Sequence, residues 1–146
     1  MTGAPFRRVL VGWDGSADAA AALSMAATIV SADGGHVVAL AVLPRAYHVE
    51  PADDETEGTG IRRRVEDDFQ RAWQAAPTIR GARATLEVIE NAKAGHAVCA
   101  YAEEHRFDVL VLGRHGTGGI LRPRLGRVAE AAARDSAIPV LLVSQP

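Results

Sequence analysis

Short apolar runs alternate with helical patterns along almost the whole chain, and this alternation limits the possible fold more than any other feature. Most of the runs have the length and composition of strands that are buried on both faces. The runs lie at residues 7–12, 36–43, 84–89, 109–112 and 140–143. Apolar residues at helical spacing occupy the intervals, over residues 17–32 and 61–76 and onward from residues 95 and 128. Such an alternation favours a parallel sheet with right-handed crossovers and helices on both faces.

The chain of 146 residues has the length of one domain. We therefore predict a single Rossmann-like α/β domain over residues 1–146, with a five-stranded parallel sheet in the order 3-2-1-4-5 and helices on both faces. In this order the first and fourth strands are neighbours, and the crossover direction reverses between them. A crevice then opens beyond the carboxyl ends of these two strands. We expect residues 13–16 and the loop after Gly113 to line that crevice.

Two of the connecting segments carry local signals. Asp14 and Gly15 form a turn sequence, and Ser16 is suited to cap the first helix. Residues 45–60 are acidic, contain one proline and two glycines, and show no usable periodicity. These features predict a mobile loop before a second helix that begins near Ile61.

The stretch after the fourth apolar run is rich in glycine and basic residues. Its glycines are Gly113, Gly116, Gly118, Gly119 and Gly126, and its basic residues are Arg114, His115, Arg122, Arg124 and Arg127. A helical pattern begins at Val128. A buried strand, a basic glycine loop and a helix start together favour phosphate binding, because glycine lets the backbone approach an anion and the helix N-terminus offers free N–H groups.

Charge and composition argue against several classes of protein. The formal net charge of −2 argues against a general nucleic-acid binder. Cys99 is the single cysteine, so neither an internal disulfide nor a CxxC site is formed. Lys93 is the single lysine and lies outside the glycine loop, which is therefore not a Walker A motif. We find no signal peptide and no apolar run near the roughly 18 residues of a membrane span, and we expect a soluble, cytoplasmic protein.

The spacing Gly113-x2-Gly116-x9-Gly126 resembles the nucleotide-binding signature G-x2-G-x9-G-[S/T] of the universal stress protein family. The flanking segments resemble the family in the same order along the chain: VLVGWDGS at the first strand, DVLVLGRHG before the loop and IPVLLV at the end. A glycine spacing alone is weak evidence, but these segments extend the agreement over almost the whole chain.

The resemblance implies a site for ATP, with Mg²⁺ held through the phosphates. It places Gly12, Asp14 and Val42 around the adenine. It places Gly113, Arg114, His115 and Gly116 around the ribose and the adjoining phosphates, and Gly126, Arg127 and Val128 at the outer phosphates. The chain departs from the signature at one position, because Arg127 stands where the family has serine or threonine.

Three roles remain open for Arg127. Its planar guanidinium could pair with the polyphosphate, its side chain could occupy the phosphate-binding position and block it, or the side chain could point to solvent. The backbone N–H groups of residues 126–128 remain available as donors in each case.

The remaining candidate residues also have plain structural readings. Asp14 is suited to a turn or cap, and Trp13 to packing at a strand end. His115 has no carboxylate near it in sequence, so we expect a ribose or phosphate contact, or plain exposure, rather than catalysis. The other histidines show no metal-ligand spacing and are expected at the surface; they are His36, His48, His96 and His105.

We therefore expect a sensor or regulator that binds an adenine nucleotide and acts by ligand-dependent interaction. The alternative is a dimeric scaffold of the same fold that does not bind nucleotide and acts through protein partners. A slow ATPase is a third hypothesis, although the sequence offers no candidate base. Members of the family commonly form homodimers across the last strand, here residues 139–143, and an apolar edge strand favours such pairing.

Overall fold

The computed structural model describes residues 6–43, 54–76, 82–115 and 125–145, with side chains from Gly60 onward in the second range. The strands are β1 (Arg8–Gly12), β2 (His36–Leu43), β3 (Arg83–Glu90), β4 (Val109–Gly113) and β5 (Val140–Val143). The helices are α1 (Ala17–Ile29), α2 (Asp54–Ala75), α3 (Ala94–Glu104) and α4 (Arg127–Asp135). The strands form one parallel sheet in the order β3-β2-β1-β4-β5. The predicted fold class and strand order are confirmed.

Each face of the sheet carries its own apolar core. Neighbouring residues of a strand point to opposite faces, so Val9 and Val11 pack beneath α1 and α2 while Leu10 packs beneath α3 and α4. All three side chains are fully buried. β1 lies between β2 and β4, with Leu10 paired to Val38 and Leu110. Burial on both faces explains why these strands are continuous apolar runs.

α1 begins where predicted and ends three residues earlier than the pattern indicates. The Ser16 hydroxyl oxygen accepts a hydrogen bond from the Ala19 N–H at 3.1 Å, which confirms the predicted cap. At the other end Val30 is extended and forms a parallel bridge with Phe6. The Ser31 N–H donates to the Phe6 carbonyl at 2.8 Å. A pairing with the start of the chain therefore ends the helix at Ile29.

α2 corrects one prediction, because it begins at Asp54 rather than near Ile61. The mobile loop predicted over residues 45–60 is therefore wrong for residues 54–60, and residues 45–53 lie outside the described part. The first residues of α2, DETEGTG, show little apolar periodicity, which explains why the sequence pattern did not indicate this helix start.

Farther along α2, Phe69 is 1% exposed and meets Trp13 edge to face, with ring centroids 6.1 Å apart. Trp13 is therefore a core residue, in line with its packing interpretation. Among the described helices, none is both long and apolar enough to cross a membrane.

His36 is the first residue of β2, so it lies at the amino ends of the strands, whereas the predicted crevice lies beyond their carboxyl ends. Its ring is half-buried, which is less exposed than the surface position predicted from the sequence. Nε2 lies 2.9 Å from the Thr85 hydroxyl, whereas buried Nδ1 has no hydrogen-bond partner among the described residues. Burial lowers the pKa of His36, and the positive charges of Arg83 and Arg8 lower it further, against a smaller opposing effect of Glu87.

The lowered pKa of His36 predicts a pH-dependent stability. As the pH falls below about 6.5, the unfolded chain binds a proton at this residue before the folded chain does, so the free energy of unfolding decreases. His36→Gln should lose less stability between pH 7.5 and 5.5 than the native protein. We expect a difference below about 1 kcal/mol, because solvent screens a half-exposed group. Urea unfolding across this range measures it, with exposed His96→Gln as the control. The same pH dependence of the free energy of unfolding in the native and His36→Gln proteins would contradict the lowered pKa of His36.

Candidate functional site

The candidate site lies where β1 and β4 end side by side. Their residues pair in parallel register up to Val11 and Val111, so the segments that follow both strands leave at the same edge of the sheet. β2 runs past this point: Gly12 pairs with Leu40, and Val42 stands two residues farther along. Val42 is half-buried and packs against the core beneath α3 and α4. Three predicted site residues, Gly12, Val42 and Gly113, therefore lie at one edge of the sheet.

The segment between β1 and α1 is a tight turn held by side chains. The Asp14 carboxylate accepts a hydrogen bond from the Ser16 N–H at 2.9 Å, and Gly15 has a φ of +77°. Such a φ is easily adopted by glycine and rarely by other residues. Asp14 is exposed, and this turn interaction is the structural role expected from its sequence. The turn places Asp14 just beyond the carboxyl end of β1.

Asp18, in the first turn of α1, joins the ends of three strands. One carboxylate oxygen accepts the His115 N–H at 3.1 Å and pairs with His115 Nδ1 at 3.0 Å. The other oxygen accepts the Gln145 N–H at 3.1 Å, just beyond β5. A Cβ atom on Gly113 would lie 2.7 Å from the Asp18 Cβ, so glycine is required for this close approach. The segments after β1, β4 and β5 thus converge on one carboxylate.

The hydrogen bonds keep Asp18 ionised. Burial by itself raises the pKa of this carboxyl group, but the N–H of Gln145 and the ring and N–H of His115 outweigh it, so the pKa lies below the ordinary value. The side chains are shielded, with 14% of Asp18 and 21% of His115 exposed. An acceptor-only carboxylate therefore holds the imidazole at neutral pH.

Sequence reasoning missed Asp18, because 97 positions separate it from His115. No carboxylate lies near His115 in the sequence, but the Asp18 carboxylate lies next to it in the folded structure. A usable signal was present: a carboxylate in the first turn after β1 lies beside the β4 loop whenever these strands are neighbours.

The two ends of the glycine segment are tied together at the end of β4. The Gly126 N–H donates to the Arg114 carbonyl at 2.6 Å, and the Arg114 N–H donates to the Val143 carbonyl at 2.9 Å. The exposed side chain of Arg114 reaches the Ser144 hydroxyl at 3.4 Å. Gly116 and the other residues of 116–124 lie outside the described part of the chain. The start of α4 is therefore held next to the carboxyl end of β4.

Gly126 is the N-cap of α4, and no side chain of the described residues caps this helix start. Arg127 is the first helical residue and is exposed, whereas Val128 is half-buried and packs against the core. A helix start without a capping side chain presents backbone N–H donors and the positive end of the helix dipole. These groups fit an anion such as phosphate.

The contact between Gly113 and Asp18 predicts the effect of a single methyl group. Gly113→Ala should destabilise the fold by about 1–3 kcal/mol, because the new Cβ would press on the Asp18 backbone, whose carbonyl carbon lies 2.8 Å away. Gly60→Ala is the matched control: a Cβ there meets nothing within 4 Å, and alanine should stabilise α2 by up to about 1 kcal/mol. Urea unfolding measures both. Equal stability of Gly113→Ala and the native protein would refute the close approach.

Comparison with known proteins agrees with this architecture. The sequence model of the universal stress protein family matches residues 5–144. The universal stress protein Rv1636 of Mycobacterium tuberculosis is 32% identical over an alignment of 145 positions, gaps included. The alignment covers 94% of this chain and 96% of that protein.

Two solved structures show the same fold. UspA from Lactobacillus plantarum superposes with a TM-score of 0.77 at 23% identity, covering 94% of this chain and 97% of that one. A universal stress protein in complex with cAMP superposes with a TM-score of 0.68 at 24% identity, covering 95% and 97%. With the family match spanning almost its whole length, the chain belongs to the universal stress protein family.

Proposed function

We propose that this chain binds an adenine nucleotide, with ATP as the first candidate, at the carboxyl ends of β1 and β4. The observation that carries the proposal is the start of α4, which no described side chain caps and which the Gly126–Arg114 hydrogen bond holds beside the end of β4. Polyphosphate would accept hydrogen bonds from its N–H groups and interact favourably with the helix dipole.

The proposed contacts follow the edge of the sheet. Gly12, Asp14 and Val42 surround the adenine, and the segment from Gly113 through Arg114, His115 and Gly116 follows the ribose and the nearer phosphates. Gly126, Arg127 and Val128 hold the outer phosphates, and Mg²⁺ is bound through those phosphates and reduces their mutual repulsion. Family membership supports this proposal, as does the related structure that was determined with cAMP, an adenine nucleotide.

Arg127 is proposed to assist binding. Its side chain is exposed at the first position of α4, outside the packed interior. From there the guanidinium can pair with a phosphate through two parallel hydrogen bonds and replace the hydroxyl of the family signature.

Calorimetric titration of the nucleotide-stripped protein with Mg-ATP tests this proposal. We expect a micromolar dissociation constant for the native protein and at least tenfold weaker binding for Arg127→Glu, because a carboxylate there repels the phosphates. Arg63→Glu is the matched control: it makes the same charge change at an exposed position of α2 and should leave binding unchanged.

Two other results would contradict parts of the proposal. Binding by Arg127→Ser but not by the native protein would show that the arginine side chain blocks the phosphate-binding position. No binding by either protein would refute nucleotide binding and favour the scaffold that acts through protein partners.

We propose that this chain acts in the cytoplasm by binding rather than by turnover: the bound ligand alters an interaction surface at the carboxyl ends of β1 and β4. Stoichiometric binding of nucleotide without release of phosphate would distinguish this sensor from a slow ATPase.

A homodimer across β5 is the proposed assembly, through residues 139–143. In the sheet of the described residues, β5 is an edge strand with one neighbour, β4, and its Leu141 is 36% exposed. Unpaired edge strands readily add a strand from another chain, and a two-fold axis lets two copies of β5 protect each other.

Leu141→Lys should shift the protein from dimer to monomer at micromolar concentration, because it places a charge in the apolar part of this interface. Sedimentation velocity measures the change. Ala75→Lys is the control, since it places the same charge at an exposed position of α2, which contacts β3 at the opposite edge of the sheet. A native protein that sediments as a monomer would overturn the assembly.

A further inference from the structure

β3 forms the second edge of the sheet, opposite β5. In the described part of the chain its one neighbour is β2. The Arg83 N–H donates to the carbonyl of Gly35, just before β2, at 3.0 Å. Backbone N–H and C=O groups alternate in direction along a strand, so those of Ala84 and Leu86 point away from β2. These outward groups can pair with a further strand.

The side chains of β3 divide into an apolar and a charged row. Ala84 and Leu86 pack against the core beneath α1 and α2, whereas Arg83, Thr85 and Glu87 are exposed on the other face. Arg83 and Glu87 are four residues apart, about 13 Å along an extended strand, which is too far for an ion pair. Within the described residues, neither of them takes part in an ion pair. One strand therefore presents two opposite charges without partners.

We propose that β3 is a second surface for self-association, on which two copies of this chain pair their β3 strands antiparallel about a two-fold axis at Thr85. Arg83 of each copy then lies opposite Glu87 of the other, and Ala84 lies opposite Leu86. Because the outward backbone groups belong to Ala84 and Leu86, these two residues form the hydrogen-bonded pairs. Arg83 and Glu87 occupy non-hydrogen-bonded pairs, in which opposite side chains lie closer together.

Other two-fold registers do not match the charges. An axis at Arg83 or at Glu87 would place like charges opposite each other, and an axis at Leu86 would place both charges opposite uncharged residues. Charged side chains on an edge strand usually prevent pairing. On β3 the order of the charges, positive before negative around a central threonine, instead makes one register complementary to itself.

This surface is independent of the nucleotide site and of the dimer proposed through β5, since β3 and β5 lie at opposite edges of the sheet. Exposed charge pairs contribute little each, so we expect a weak contact, with a dissociation constant of about 0.1 mM or above. Copies joined at both edges would form a continuous sheet in an open chain, because each edge is used by its own two-fold axis.

Sedimentation velocity of Leu141→Lys, which removes the β5 contact, tests the surface at about 0.5 mM protein and low salt. We expect a reversible dimer whose dissociation constant rises at least tenfold when NaCl is raised to about 0.5 M, because salt screens exposed charge pairs. If the native protein lacks the β5 dimer, it should give the same result by itself. A monomer at both salt concentrations would overturn the proposal.

Charge reversal in the Leu141→Lys background tests the register. Arg83→Glu and Glu87→Arg should each weaken the dimer at least tenfold, because the two-fold axis turns both opposite-charge pairs into like-charge pairs. The combination of both changes should restore the original dissociation constant to within about threefold. Glu104→Arg, at an exposed position of α3, is the matched control and should have no effect. A double reversal as weak as the single ones would refute the pairing of Arg83 with Glu87.

A cross-link locates the axis. In Cys99→Ser protein, Thr85→Cys should form a covalent dimer under mild oxidation by oxidised glutathione, because directly opposite side chains of a non-hydrogen-bonded pair are close enough for a disulfide. Thr28→Cys, at an exposed position of α1, is the control and should stay monomeric under the same conditions. Equal cross-linking of the two variants, or none of Thr85→Cys, would overturn the axis at Thr85.

Discussion

The pairing of β1 with β4 at the centre of the sheet is the constraint on which the rest of the site depends. The two strands are in parallel register from Val9 to Val11, and both are buried on both faces. Displacing either strand would disturb two apolar cores at once, because successive residues pack against different helix layers. The helix after β1 and the glycine segment after β4 therefore start from fixed positions at one edge of the sheet.

Asp18 turns this adjacency into a defined geometry. Its carboxylate holds the backbone after β4 and after β5 and orients the ring of His115. Gly113 makes the contact sterically possible, since a side chain there would strike the backbone of α1. Asp18 thus connects the segment proposed to contact the ligand with β5, the strand proposed to form the dimer interface.

The parts of the fold that local chemistry determines could be predicted from the sequence. The apolar runs placed β2 and β5 at their observed bounds, and the hydroxyl of Ser16 marked the start of α1. The errors arose where other interactions decide. α1 ends early because Val30 pairs with Phe6, and α2 begins in a segment whose little apolar periodicity gave no sign of a helix.

For the site, the sequence by itself determined that a basic glycine segment lies between a buried strand and a helix, and that Asp14 begins a turn, because these features depend on neighbouring residues. Only the tertiary structure decided which carboxylate meets His115, since 97 positions separate the partners and strand order alone brings them together. It also decided that the other ring nitrogen, Nε2, is buried with no hydrogen-bond partner among the described residues. Burial and pairing across a sheet are properties of the assembled layers, and no local pattern encodes them.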